Sequence, residues 1–175
     1  MKKTLTFLLG ALLLPAFSSC LSEEEKLWND YEDWRNANDS WLSEQVVSGK
    51  YQKVVPAWNQ DISVNMRWLN DRSKTEGNLT PLYTSTVDVK YKGWLYDGTP
   101  FDSSYLQTDS IATLKLTGLI AGWVIAMEQM RVGDRVEVLV PYEAAYGSSS
   151  VGKILPYSVL RFEMELRDIP AYEIK

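Results

Sequence analysis

The stretch VKYKGWLYDGTPFDSSY, residues 89–105, places two aromatic-rich runs on either side of a turn. Asp97-Gly98 is a strong signal for a β-hairpin, because such turns require a positive φ that glycine adopts easily. In the run STVDVKYKGWL, alternate residues share one face of a strand: Val87, Val89, Tyr91 and Gly93. The turn is followed by a single acid, Asp102, in a chain that contains no histidine. The role of one carboxylate among aromatic rings is therefore the central question.

Working outward from this hairpin, alternation of apolar and polar residues predicts further strands in ISVNMRWL (62–69), IATLKL (111–116), GDRVEVLV (133–140) and VLRFEMELRDI (159–169). In the last run, one face carries Leu160, Phe162, Met164 and Leu166. LIAGWVIAMEQM, residues 119–130, predicts one short helix between strands. The pattern is that of an α+β domain, in which a helix covers an antiparallel sheet.

Residues 22–48 predict one amphipathic helix, with Ser22 as the N-cap and Glu25 completing a capping box. Asn38 interrupts an apolar stripe of Leu27, Tyr31, Trp34, Trp41, Leu42 and Val46. The tryptophans of this helix have two interpretations. They dock the helix onto the following domain, or they line a groove or the seam of a homodimer.

The N-terminus has the pattern of an export signal: MKK followed by the apolar run TLTFLLGALLLPAF. Small residues precede the only cysteine in FSSC, which resembles a bacterial lipoprotein box and implies lipidation of Cys20 after removal of residues 1–19. The alternative is an ordinary secretory signal. LSEEE, residues 21–25, resembles the surface-export signals of Bacteroides-type lipoproteins, although it is also typical of a solvated tether. We expect a cell-envelope protein, lipid-anchored to the outer membrane and periplasmic or surface-exposed.

Composition excludes several functions. The net charge of −5 and the lack of a basic cluster argue against nucleic acid as a partner. Without histidine or a spare cysteine there is no conventional nucleophile–base pair. GSSSVGK, residues 147–153, lacks the Ser or Thr that follows the lysine of a phosphate-binding loop. No acidic cluster has the spacing of a calcium loop, so no metal or cofactor is expected.

Four separated segments resemble, in order and spacing, those of the FKBP-type peptidyl-prolyl cis–trans isomerases. They are VDVKYKGWLYDGTPFDSSY, LIAGWVIAMEQMRVGDRVEVLVP, AAYG and ILPYSVLRFEMEL. The resemblance implies a twisted antiparallel β half-barrel wrapped around one short helix, preceded here by the N-terminal amphipathic helix. It divides the chain into a signal peptide (1–19), a tether with the helix (20–59) and an isomerase domain (60–170).

The resemblance also implies a site for proline-containing polypeptides. Trp123 would form the floor, and Tyr91, Phe101 and Phe162 the walls. Aliphatic surface would come from Leu119, Ile120 and Ile154. Tyr146 and the Ile120 N–H would donate hydrogen bonds to the substrate. Asp102 would accept hydrogen bonds and orient dipoles at the edge of the pocket, without transferring a proton.

Three functions follow. The first is an isomerase that assists the folding of exported proteins, and rotation about an X–Pro bond needs no titrating group. The second is a lipid-anchored peptide-binding or chaperone module with little catalysis. Two features favour it: Ala112 and Leu114 stand where family members often carry phenylalanine, and the loop of residues 147–156 is altered. The third is a structural lipoprotein in which Asp102 and Tyr146 serve only packing.

Overall fold

The computed structural model describes residues 22–106 and 109–171. The strands of the described residues form one antiparallel sheet. Its strands are β1 (Gln52–Val54), β2 (Val64–Trp68), β3 (Thr86–Leu95), β4 (Pro100–Ser103), β5 (Ala112–Lys115), β6 (Arg135–Val140) and β7 (Leu160–Ala171). The four runs predicted as strands by alternation are thus all strands, and the Asp97-Gly98 turn joins β3 to β4.

The sheet is open, with strand order β1-β2-β6-β7-β3-β4. β3 is shared by two short partners: its first half pairs with β5 and its second half with β4. β7 lies between β3 and β6, as Phe162 opposite both Gly93 and Val138 illustrates. Since β1 pairs with β2, the sheet also takes in residues before residue 60.

The predicted short helix is α3 (Ala121–Met127), and six of its seven residues are buried. Gly122 allows the close contact between α3 and the sheet, because a Cβ at this position would overlap the side chain of Val140. The inward faces of β3 and β7 pack in the same core as the helix. The expected fold class, an antiparallel sheet packed around one short helix, is therefore confirmed.

The prediction of one continuous helix over residues 22–48 was wrong. The segment forms α1 (Glu23–Asp30) and α2 (Glu32–Val47), separated at Tyr31. Arg35 accounts for the break: its Nη1 donates to the Trp28 carbonyl at 2.6 Å, and its guanidinium lies 3.4 Å from the centre of the Trp28 ring. The expected capping box of Ser22 and Glu25 is present at the start of α1.

Two tryptophans of this segment contact the domain, as the docking interpretation predicts. Trp34 Nε1 donates to Ser158 Oγ at 3.1 Å, and its ring lies edge-on to Tyr96 with centroids 5.1 Å apart. Trp28 makes the same kind of contact with Tyr157 at 5.1 Å. None of the helices within the described part of the chain has the length and apolar character needed to cross a membrane.

Asn38 does not interrupt the packed face of α2, as the sequence pattern suggested, but belongs to it. The side chain is fully buried. Its Oδ1 accepts the Val159 N–H at 2.8 Å, and its Nδ2 donates to the Trp34 carbonyl at 2.8 Å. The side chain of this polar residue thus links α2 to the main chain just before the last strand.

Candidate active site

A cavity of about 290 Å³ opens between the β3–β4 hairpin and the start of α3. Its lining combines five aromatic side chains, three aliphatic side chains, one glycine and one acid: the residues are Tyr91, Phe101, Asp102, Leu114, Gly118, Leu119, Ile120, Trp123, Tyr146 and Phe162. This is the size and character of a site for one apolar ring, with a few polar groups that fix its orientation.

The aromatic lining forms a connected set of edge-to-face contacts. Trp123 is at its centre, with ring centroids 4.9 Å from Tyr91 and 5.4 Å from Phe162. Phe162 in turn lies 5.5 Å from Phe101. Such perpendicular pairs are favourable for aromatic quadrupoles and hold each ring in one orientation. The rings of the cavity lining thus support one another through these contacts.

Gly93 makes room for two of these rings. A Cβ at this position would lie 2.7 Å from the Phe101 ring and 3.0 Å from the Phe162 ring. Gly93 is opposite Phe162 on β7 and opposite Asp102 on β4. The glycine thus lets both phenylalanine rings approach the backbone of β3, and it brings Asp102 to the mouth of the cavity.

Asp102 is held by two hydrogen bonds. Tyr91 Oη donates to Asp102 Oδ2 at 2.7 Å, and the Ser103 N–H donates to Oδ1 at 2.7 Å. Burial, and then the hydrogen bond and negative charge of Asp102, raise the pKa of Tyr91. The carboxylate therefore fixes the Tyr91 ring, and Tyr91 keeps its proton well above neutral pH.

Tyr146 and Ile120 supply the donors at the mouth. Burial, followed by the charge of Asp102, raises the pKa of Tyr146, so its hydroxyl is neutral and able to donate. Ile120 immediately precedes α3, where its carbonyl accepts the Trp123 N–H at 3.0 Å. Among the hydrogen bonds of the described residues, neither Tyr146 Oη nor the Ile120 N–H has a partner.

The structure brings together every residue expected at the site except Ile154. Ile154 is buried in the core, as Trp123 and Phe162 also are, but it is not among the residues that line this cavity. Its N–H and carbonyl both bond to Val151, at 2.9 Å each. The resemblance had given Ile154 a share in the aliphatic surface of the site, and its contact with substrate stays a prediction.

Leu114 and Gly118 line the cavity in addition. Leu114 had already been singled out as a departure from the family pattern, and it provides an aliphatic wall where a ring is usual. Ala112, the other departure, packs in the core and does not line the cavity. Gly118 carried no signal beyond its place just before the helix.

The chemistry available here is binding and polarisation. Across residues 22–106 and 109–171, no group of three or more metal-ligating side chains could hold a metal ion. The cavity offers an apolar floor, two neutral hydrogen-bond donors and one carboxylate at its edge. Such a set can desolvate a ring-bearing segment of a polypeptide and hold its carbonyl groups.

The open sheet and aromatic cavity define a small α+β domain whose cavity has the size and lining of a site for one apolar ring. The family model for the FKBP-type peptidyl-prolyl cis-trans isomerases matches residues 77–167, just over half of the chain. The chain belongs to this family.

Individual relatives agree with this assignment. The chain is 38% identical over 89 residues to the FKBP-type isomerase FkpA of Escherichia coli, covering 51% of this chain and 33% of that protein. It is 43% identical over 90 residues to the 22 kDa FKBP-type isomerase of E. coli, covering 51% and 43%. The crystal structure of E. coli FkpA superposes with a TM-score of 0.69 at 25% identity, over 83% of this chain and 63% of that one. The chain thus spans about a third to two fifths of the length of these curated relatives.

Proposed function

We propose that this chain is a peptidyl-prolyl cis–trans isomerase that acts on X–Pro bonds of exported polypeptides and assists their folding. One observation carries the proposal: the aromatic cavity around Trp123 adjoins two hydrogen-bond donors that no described residue uses. Uncatalysed X–Pro isomerisation takes tens to hundreds of seconds, slow enough to limit folding.

The reaction breaks no bond. Its barrier of about 20 kcal/mol reflects the amide resonance that is lost when the X–Pro bond twists. An apolar cavity lowers this barrier by removing water from the imide carbonyl, since hydration favours the planar, polar ground state. Only interactions that strengthen in the twisted state accelerate the step.

Each residue of the site has a role in this scheme. The proline ring lies on Trp123, between the rings of Tyr91 and Phe162. Tyr146 Oη and the Ile120 N–H hold the flanking carbonyl groups, which keeps the chain in a turn as the bond rotates. Asp102 fixes Tyr91 through the 2.7 Å hydrogen bond and presents negative charge to the dipoles at the mouth.

The test is an isomerisation assay on a short X–Pro peptide with the chain lacking residues 1–20. Wild type is compared with Asp102→Ala and Tyr146→Phe, with folding checked by circular dichroism. We expect wild type to exceed the uncatalysed rate and both variants to be at least about threefold slower. A wild-type rate equal to the uncatalysed rate would contradict the proposal that the chain is an isomerase.

The second candidate is a peptide-binding or chaperone module with little catalysis. It is favoured by Leu114, which gives the cavity an aliphatic wall. This candidate predicts that proline peptides bind, as measured by calorimetry, while isomerisation stays at the uncatalysed rate. Leu114→Phe would then raise turnover, because it restores an aromatic wall.

We further propose a cell-envelope location, with the chain lipid-anchored to the outer membrane at Cys20 and periplasmic or surface-exposed. The support is the sequence FSSC and the acids that follow it; Cys20 lies outside the described residues. Metabolic labelling with a fatty acid should mark the wild type and not Cys20→Ser. Protease treatment of intact cells then distinguishes the surface from the periplasm.

A homodimer through residues 22–48 is the alternative arrangement of the N-terminal segment. Trp34 and Asn38 are engaged with Ser158 and Val159, so a dimer would use the exposed end of α2, where Val46 and Val47 face solvent. Analytical ultracentrifugation of the wild type and of Val47→Glu decides this point. A dimer would dissociate in the variant.

A further inference from the structure

A second groove adjoins the cavity that holds Trp123. It has a volume of about 500 Å³ and is lined by Trp58, Tyr83, Leu119, Ala121, Val124 and Glu128. Leu119 lines the first cavity as well. A polypeptide that leaves the first cavity over Leu119 therefore enters the groove directly.

The walls of the groove come from three parts of the chain. Ala121, Val124 and Glu128 are three and four residues apart, so they share one side of α3 and its C-cap. Trp58 comes from the connection between β1 and β2, and Tyr83 from the segment before β3. The groove thus depends on a residue that lies outside the part matched by the family model, which begins at residue 77.

The side chains of Trp58 and Tyr83 are about half exposed to solvent. Trp58 is 55% exposed and Tyr83 52% exposed. Rings that served only to cover α3 would be buried against it, whereas contiguous exposed rings are typical of surfaces that bind a partner. Among the described residues, no hydrogen bond occupies the Trp58 indole or the Tyr83 hydroxyl.

We propose that this groove binds a large apolar side chain of the substrate polypeptide, close in sequence to the proline, and so selects substrates by residues outside the X–Pro bond. This inference rests on the proposed isomerase function and names the substrate class of the same site. Because the groove and the cavity share Leu119, we place this side chain roughly two to four residues from the proline in an extended chain, which advances about 3.4 Å per residue.

Charge and size favour this occupant. Glu128 is the one charged residue among the six that line the groove, so it disfavours an acidic segment and tolerates an aliphatic, aromatic or basic one. A stable dimer interface buries about 1,200–2,000 Å². A groove bounded by six residues matches one or two side chains rather than a second copy of the chain.

The experiment compares kcat/KM of the purified full chain on two kinds of peptide. A four-residue X–Pro peptide fills only the first cavity. Longer peptides add four Gly/Ser residues on each side of the same core. In a series of these peptides, a single leucine occupies in turn each position two to four residues before or after the proline. We expect leucine at one position to raise kcat/KM by roughly five- to tenfold over serine at that position. Aspartate there should give no gain.

Variants locate the effect. Trp58→Ala and Tyr83→Ala replace exposed rings, and both should reduce the ratio of leucine to serine peptides toward one. Tyr105→Ala is the matched control: its ring is 49% exposed and lines neither the groove nor the cavity. It should keep the full ratio. Thermal unfolding of each variant shows that the fold is intact.

The outcomes separate the two proposals. Isomerisation of the short peptide with no advantage of leucine at any position overturns the groove and keeps the isomerase. An advantage that Trp58→Ala retains also overturns it, because the side chain then binds elsewhere. A wild-type dimer that Trp58→Ala dissociates, without a peptide effect, would assign the groove to self-association. Absence of any isomerisation counts against the proposed function itself.

Discussion

Tyr91 Oη and Asp102 Oδ2 lie 2.7 Å apart, and this hydrogen bond joins the middle of β3 to β4 at the mouth of the cavity. Tyr91 also contacts Trp123 edge-on at 4.9 Å. The acid that stood out in the sequence therefore reaches the cavity floor through one ring. It positions that ring and contributes negative charge at the mouth of the cavity.

This relationship predicts non-additive kinetics. Tyr91→Phe and Asp102→Ala should each lower kcat/KM by about three- to tenfold, a modest effect because the bond lies at the exposed mouth. The double variant should be little worse than Asp102→Ala, since both changes remove the same interaction. Tyr105→Phe, which removes an exposed hydroxyl outside the cavity, is the control. Fully additive losses would show that the two residues act separately.

Gly93→Ala should disrupt the site through packing. The added methyl group would lie 2.7 Å from the Phe101 ring, so Phe101 and Phe162 must separate. We expect a loss of about 1–3 kcal/mol in the free energy of unfolding and a clear fall in kcat/KM. Urea denaturation measures the first. Gly118→Ala is the stability control, because a Cβ there meets nothing within 4 Å. Equal stability of the two variants would contradict this view of Gly93.

The strands and most of the site could be predicted because their signals are local. Alternation along β3 and β7 fixes which residues face the core, and the hairpin turn brings Phe101 and Asp102 beside that face. The resemblance to a family then supplied roles that alternation cannot. The short turn in which Ile154 and Val151 bond to each other shows the limit, because no period in the sequence indicates it.

The N-terminal segment was harder to predict because its structure depends on distant residues. The break at Tyr31 follows from Arg35 bonding to the Trp28 carbonyl, next to Tyr157. Asn38 looked like a flaw in an apolar stripe because its partner, the Val159 N–H, is 121 residues away. Helical periodicity contains no information on either contact.

Asn38→Ala should destabilise the protein, although it replaces a polar side chain in an apolar stripe by an apolar one. The change leaves the buried Val159 N–H without its acceptor, which costs about 1–3 kcal/mol. Hydrogen exchange should speed up at Val159 in the variant. Asn36→Ala, on the exposed side of the same helix, should change the free energy of unfolding by less than about 0.5 kcal/mol. A similar small effect for Asn38→Ala would mean that α2 docks without this link.

Asp134 should make stability depend on pH in the acid range. Burial opposes its ionisation, but hydrogen bonds from Thr75, the Arg131 N–H and Asn70, with the charge of Arg72, lower its pKa below the ordinary value of 3.8. Because the folded state binds the proton less tightly than the unfolded state, this stabilisation is complete above about pH 4 and disappears as pH falls through the lowered pKa.

Asp134→Asn should therefore cost about 2–3 kcal/mol at pH 7 and reduce the loss of stability between about pH 4 and pH 2. Urea denaturation across this range measures both effects. The exposed Asp61→Asn is the control. An unchanged acid dependence in Asp134→Asn would show that other carboxyl groups control acid unfolding.

The most direct test of the central claim is the pH dependence of isomerisation on a short X–Pro peptide. Burial raises the pKa of both Tyr91 and Tyr146, with Asp102 adding to the shift, so both hydroxyl groups stay protonated through neutral pH. The account predicts catalysis above the uncatalysed rate, with kcat/KM nearly constant from about pH 6 to pH 9. A bell-shaped profile within that range would contradict it, because the reaction would then depend on a titrating acid or base.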